Sequence, residues 1–219
     1  MRLDYDFYQQ DALSAAETLL GKVVVRKIEN KIIKVKIVET EAYMGAADKA
    51  SHAFGNKRTK RTKTMFKKGG SAYIYLIYGI YHCFNIVTAE KNKPHAVLIR
   101  AVEPLVGLDY IRENREIKST KIKDLTNGPG KLSQALKIDK SLDGCDLVKS
   151  NKLYLIDNKQ DFEIESAARV NIDYAEEYKD KKWRFYIKNS IFVSKKWALI
   201  QSLFIKIFSW DNADLLTAA

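Results

Sequence analysis

The residues best suited to chemistry lie between Ile37 and Arg100. The pentapeptide Glu39-Thr40-Glu41-Ala42-Tyr43 closes a strand-like run and sets an acid group among aromatic and apolar neighbours, in a chain that is otherwise strongly basic. A run rich in lysine and arginine follows at 57–68, then Tyr73, Tyr75, Tyr78 and Tyr81, then Asn85, and finally Arg100 at the end of another apolar run. The chemistry on offer is that of one carboxylate in a small aromatic pocket, wrapped in a surface that attracts anions. Arg100 adjoins Ala96 to Ile99, and an arginine buried there needs an anionic or hydrogen-bonding partner, which either Glu41 or Glu103 can supply. Taken one at a time, a glutamate at a strand end is most often solvated, and strand tyrosines most often only pack.

Other chemistries lack their residues. The histidines are His52, His82 and His95, with no His-Glu or Cys-x-x-Cys spacing among them, so no metal site is expected. Gly69-Gly70 and Gly128-Pro129-Gly130 lack the spacing and the lysine-serine ending of a nucleotide-binding loop, and no serine sits in a nucleophile elbow. No cofactor is expected.

Lysine and arginine number 38 against 27 acidic residues, a net charge of +11 that implies a polyanionic partner, nucleic acid or an anionic membrane. At 219 residues and 46% hydrophobic the chain can bury a substantial core. Cys83 and Cys145 stand far apart and read as free thiols of a reducing cytoplasm. Met1 to Tyr8 lacks the pattern of a signal peptide, and the apolar stretch Trp197 to Phe208 is shorter than the ~20 residues a membrane helix needs. The expectation is a cytoplasmic protein without a membrane segment, nucleoid-associated in a bacterium.

The elements that must position these residues follow from periodicity. Leu13, Ala16 and Leu20 predict a helix over 11–20 stopped by Gly21. Lys22 to Ile28 and Lys31 to Ala42 predict a hairpin about Glu29-Asn30 whose second strand delivers Glu41 at its far end. Between Gly45 and Gly70 periodicity vanishes, which predicts a long loop carrying His52 and basic residues that include Arg58 and Arg61. Ala72 to Ile77 and Tyr81 to Thr88 predict strands joined at Tyr78-Gly79-Ile80. His95 to Val102 predicts another, closed by Glu103-Pro104, and a short helix can follow over 106–114. Leu125 to Lys131 is a turn feeding a helix to Leu136, a place where backbone amides can meet phosphate. Lys152 to Ile156, Phe162 to Val170 and Trp183 to Ile187 predict the last strands, with a loop or short helix over 173–178. Trp197, Ile200, Phe204 and Phe208, at near-helical spacing, predict a packed terminal helix.

Several blocks carry a resemblance. Val38-Glu39-Thr40-Glu41-Ala42-Tyr43, His52, the run Tyr73 to Tyr81 ending in Asn85, Leu98 to Leu105, Thr126 to Leu132, Ala167 to Val170 and Arg184-Phe185-Tyr186 resemble, in order, the 3-methyladenine (alkyladenine) DNA glycosylase family over residues 3 to 194. The chain has Lys60, Thr62 and Thr64 where the resemblance leads one to expect proline, asparagine and glycine, and Gly69 where a proline is usual.

The resemblance implies an α+β fold, a single domain over 1–194 with a curved, mainly antiparallel, open-barrel-like sheet flanked by helices; the C-terminal tail over 195–219 has no counterpart in it and is expected, from its apolar spacing alone, to pack on the domain. It implies a monomeric enzyme, without metal or cofactor, that flips damaged purines out of double-stranded DNA and hydrolyses the N-glycosidic bond. Glu41 matches the general base that activates the water, Arg100 the group that holds water and carboxylate, and Val170 a main-chain carbonyl ligand of the water. Tyr43, His52 and Tyr75 match the walls that receive the base, and Asn85 a group that excludes normal purines. Tyr78 matches the wedge that fills the vacated stack; Arg58 and Arg61 of the basic run and Lys131 before the helix are expected, from their charge and position, among the DNA-binding residues. A noncatalytic nucleic-acid binder stacking bases on Tyr75 and Tyr78 is the alternative.

Overall fold

The structure, a computed structural model, describes residues 1–195. The predicted helix of Trp197 to Phe208 and most of the tail lie outside the described residues. Two short helices open the chain. α1 (Tyr5–Tyr8) is a single turn capped by Asp4, which accepts the Phe7 amide. α2 (Ala12–Thr18) begins at Asp11, whose carboxylate accepts the Leu13 and Ser14 amides that a helix start leaves unpaired. It ends before Leu20 because the chain turns at Gly21, held at φ +78° with the Phe162 ring where a β-carbon would stand.

Eight strands follow among the described residues, and every pairing among them is antiparallel. They are β1 (Val23–Ile28), β2 (Lys31–Tyr43), β3 (Ala72–Ile77), β4 (Tyr81–Thr88), β5 (His95–Val106), β6 (Leu153–Ile156), β7 (Ile164–Ala167) and β8 (Arg184–Ile187). The order β3-β4-β5-β2-β1-β6 curls into a half-barrel, and β8 joins β2 beyond the end of β1 with β7 outside it. α3 (Leu108–Arg115) and α4 (Pro129–Ala135) lie between β5 and β6 in sequence. The fold is therefore α+β, with one main core formed by α2, the sheet and the α3–α4 region.

Strand β2 explains how an acid comes to face a pocket. Ile33, Val35 and Ile37 are fully buried in the main core, and strict alternation would send Glu39 and Glu41 into it as well. A bulge at Val38 inserts one unpaired residue between Ile37↔Val102 and Glu39↔Ala101. Beyond it Thr40 and Ala42 take over the core face, the Thr40 hydroxyl donating to Ala16 O of α2 (2.8 Å), and the two glutamates turn to the opposite face. A matching shift at Arg100 in β5 redirects that side chain to the same side, while Ile99 and Val102 both stay in the core.

Three stretches differ from expectation. β5 runs through Pro104 to Val106, because β4 pairs only with the His95–Leu98 end and the proline lies at a register shift against β2, where no ladder donor is lost. The segment 45–70 is ordered by three short 3-10 helices, Gly45–Ala47, Phe54–Asn56 and Lys63–Phe66, with Ala53, Met65 and Phe66 packed on Tyr73, Val87 and Ala96. The strand expected over 162–170 is only β7, since the chain leaves the ladder after Ala167 and Asn171 takes φ +59°. The 173–178 region, expected as a loop or short helix, is a kinked 3-10 stretch, Asp173–Lys179.

Candidate active site

One rung of the sheet lines up the site. Tyr73 pairs with Asn85, Asn85 with Leu98, Leu98 with Glu41, and Glu41 with Arg184, so residues from five strands stand in a row. Above this row opens a cavity of about 550 Å³, walled by Tyr43, His52, Arg61, Tyr73, Tyr75, Asn85, Arg100, Val170 and Tyr174, with Tyr78 and Lys131 among its lining residues. The fold therefore gathers residues spread over more than half the chain. Arg58 is not among the lining residues: its guanidinium stacks on the Phe66 ring (4.0 Å) and donates to Asn92.

Glu41 is fully buried behind the cavity, and three lining groups hold it. The Tyr43 hydroxyl donates to Oε2 (2.9 Å), the Val170 amide donates to Oε1 (2.7 Å), and Arg100 Nη1 stands 3.4 Å from Oε1. Val170 thus meets Glu41 through its N–H, which donates to the carboxylate. Burial alone would lower the Arg100 pKa, but Glu41 and Glu39 together raise it, so the guanidinium stays charged.

Of the two acids open to Arg100, Glu41 is a partner and Glu103 is not; Glu103 pairs instead with Lys36 (2.7 Å). The second partner is Glu39, 3.4 Å from Arg100 Nε. Glu39 also binds the fully buried Arg184 (2.8 Å) and accepts the Ser194 amide (2.7 Å). Arg184 Nε donates to Ala168 O (2.9 Å), which anchors the segment that carries Val170. Two glutamates and two arginines so balance charge in the interior, each tied to backbone or hydroxyl groups as well. A second buried pair, Asp48 with Arg169 (2.6 and 2.9 Å), fastens the start of the 45–70 segment, and Arg169 lies 4.8 Å from the Tyr43 ring centre. Sequence reasoning missed Glu39, Arg184, Asp48 and Arg169. The signal that singled out Arg100, a charge set inside an apolar run, marks Glu39 and Arg184 equally.

The aromatic wall is a stack of edges. His52 meets Tyr75 edge-on (4.5 Å, 78°), and its Nδ1 lies 2.9 Å from the Tyr73 hydroxyl. Burial, with the adjacent Arg61 charge, drives the His52 pKa down to about 4. Its proton affinity is thus higher in the unfolded chain, near 6.5, so stability contributed by neutral His52 is present above pH ~6.5 and is lost as pH falls towards 4. His52→Gln should reduce the pH dependence of the urea midpoint between pH 4 and 6.5, leaving the slopes from His95, whose pKa burial also lowers, and, towards pH 4, from carboxylates held low such as Asp139 and Asp146. An unchanged slope would contradict this. Tyr43 and Tyr75 are pushed well above the usual tyrosine range by burial first, then by Glu41 and Cys83 respectively, so both remain neutral phenols.

Asn85 is buried with its amide NH2 donating to Tyr73 O (3.1 Å) and Cys83 O (3.3 Å). Both cysteines are free thiols, and Cys83 lines the cavity. At the tip of the β3–β4 hairpin Tyr78 takes φ +53° and is 74% exposed, flanked by exposed Leu76 and Ile80. Lys131 at the start of α4 donates to Asn127 (2.7 Å), and Gly130 admits the Tyr81 ring where a β-carbon would come within 2.9 Å of it. No cluster of three or more metal-binding side chains occurs among the described residues, and no described helix is long and apolar enough to cross a membrane.

A half-barrel with a buried acid behind an aromatic cavity, an exposed ring at a hairpin tip and strong positive charge is the build of a DNA glycosylase. The comparisons agree: the family profile described as methylpurine-DNA glycosylase matches residues 6–191. The chain belongs to that family. It is similar to a protein of Natranaerobius thermophilus, 56% identical over 196 residues (89% of this chain, 99% of the relative), provisionally named a 3-methyladenine DNA glycosylase. Proteins of Clostridium novyi and Clostridium perfringens with the same provisional name are each 50% identical, over 201 and 205 residues, covering 89% and 90% of this chain and 99% and 100% of the relatives.

Proposed function

We propose that the protein is a monofunctional glycosylase, acting as a monomer, that extrudes alkylated or otherwise damaged purines from duplex DNA and hydrolyses their bond to deoxyribose with a water activated by Glu41. The observation that carries this reading is the buried Glu41 carboxylate, held by Tyr43, Val170 and Arg100, all of which line a cavity of about 550 Å³. Such a volume suits a single flat ligand such as a purine.

Tyr78 serves as the wedge. Unstacking a base costs a few kcal/mol, and a ring already exposed at a hairpin tip offsets part of that cost on entering the gap. Inside, Tyr43, His52 and Tyr75 receive the base, an interaction worth about 1–3 kcal/mol per stacked ring. Asn85, its donors turned to backbone carbonyls, restricts the pocket by bulk and by its remaining oxygen. Glu41 takes a proton from water while its charge favours the oxocarbenium-like sugar, and Arg100, 3.4 Å away, is its counter-charge.

The test is incubation of the protein with a duplex carrying one 7-methylguanine, followed by alkaline cleavage at abasic sites. Strand breaks that require both the protein and alkali support a glycosylase without lyase activity, and their absence here and on a matching hypoxanthine duplex overturns the reading. Tyr78→Ala should lower affinity for the lesion duplex about tenfold or more while weakening binding to the undamaged duplex less. An unchanged ratio of the two affinities would remove the wedge role.

A further inference from the structure

Arg61 belongs to the basic run, yet it does not behave like its neighbours. Arg61 is exposed like Lys57, Arg58, Lys60 and Lys63, and Lys68 rests over the Tyr5 ring, but of these Arg61 is the one whose side chain also lines the cavity. Its Nη2 stands 3.2 Å from His52 Nε2, and its guanidinium carbon lies 5.0 Å from the centre of the Tyr75 ring.

A local turn aims it there. The Thr62 hydroxyl, buried, donates to Lys57 O (2.8 Å) and accepts the Thr59 amide (2.8 Å), while Thr59 Oγ1 accepts the amides of Arg61 and Thr62 (3.2 Å each). Thr62 is one of the positions where the sequence departs from the pattern it otherwise resembles. In this chain the hydroxyls of Thr59 and Thr62 hold the turn that carries Arg61 against the aromatic wall.

From this placement we infer that Arg61 is a specificity-determining residue of the base pocket: it donates to the acceptor edge of the extruded purine and favours neutral, oxo-bearing purines over bases with a fixed positive charge. The inference rests on the glycosylase reading above. The guanidinium carries five N–H donors and no acceptor; it meets His52 and reaches the Tyr73 hydroxyl, which leaves further donors for a ligand. His52, kept neutral, accepts that contact rather than competing for the same edge.

The chemistry separates the two lesion classes. When a neutral purine such as hypoxanthine departs, the C1′–N9 bond breaks and its electron pair stays on the base, leaving an anion whose charge spreads to N7 and O6. The attacking water bonds through oxygen to C1′ and gives its proton to Glu41; the base anion later takes a proton from solvent. A guanidinium donating to N7 or O6 stabilises the anion as it forms. A cationic base such as 7-methylguanine leaves neutral, needs no such donor, and is repelled by a fixed cation on the pocket wall.

The test compares kcat/KM for wild type, Arg61→Met and Arg61→Lys on duplexes of one sequence bearing hypoxanthine or 7-methylguanine. The ratio of the hypoxanthine constant to the 7-methylguanine constant should fall about tenfold or more in Arg61→Met, and less in Arg61→Lys, which keeps the charge but loses the fork. If Arg61 holds phosphate, or merely supports the loop, both constants fall together and the ratio stands, which overturns the inference. The phosphate case is recognised by a log–log salt slope lowered by about one. A wild type inert on both duplexes would instead strike the glycosylase reading, and this inference with it.

Discussion

Glu41→Gln should abolish base excision while leaving lesion binding largely in place. The amide keeps the shape of the acid, can still accept the Val170 amide, and can still face the Tyr43 hydroxyl, so the pocket keeps its walls. What disappears is the capacity to take a proton from water and the negative charge that favours the developing sugar cation. Loss of a positioned general base costs about 10²–10⁴ in rate, and the lost electrostatic stabilisation adds to that. Arg100 keeps its other contact, with Glu39, so the variant should remain folded. Single-turnover excision from a 7-methylguanine duplex, read as abasic sites cleaved by alkali, is the measurement. Equal yields from wild type and variant would remove Glu41 from the mechanism and leave a nucleic-acid binder or a different base.

Glu39→Gln should act on stability first. Glu39 is fully buried between Arg100 and Arg184, and it also accepts the Ser194 amide. Removing its charge leaves Arg184 buried without an anion, and breaking a buried pair in this way costs about 3–5 kcal/mol. A comparable loss should appear in urea unfolding, and the double variant Glu39→Gln, Arg184→Met should regain part of it because no uncompensated charge remains. A double variant no more stable than the single one would show that Glu39 acts through Arg100 or Ser194 alone. Because Arg184 also holds Ala168 O, the single variant should slow excision even where it is folded, through the slackened 168–170 segment that carries the Val170 amide.

Much of the architecture was legible along the chain because antiparallel hairpins declare themselves locally. The β1–β2 turn at Glu29-Asn30 and the β3–β4 turn at Tyr78-Gly79-Ile80 fall where alternation stops, and both hairpins form as expected. Alternation failed at Val38. Nothing in Ile37-Val38-Glu39 announces an extra residue, since a bulge is set by register against β5 and by the demand to keep Ile37 and Ala42 in one core while two acids leave it. Arg61 and Arg58 were likewise indistinguishable in sequence; the turn built by Thr59 and Thr62 sends one to the pocket while Asn92 and Phe66 hold the other outside.

The sequence by itself determined the strands, the basic character, and the blocks that mark a methylpurine-DNA glycosylase, because these rest on periodicity, charge and residue identity. The tertiary structure alone decided which acids and cations meet. Arg100 between Glu39 and Glu41, Arg184 holding Ala168, and Arg61 on the aromatic wall all depend on register across paired strands and on loop closure. Such contacts join residues far apart in the chain, and only the need to neutralise and hydrogen-bond buried charge selects among the partners that composition makes available.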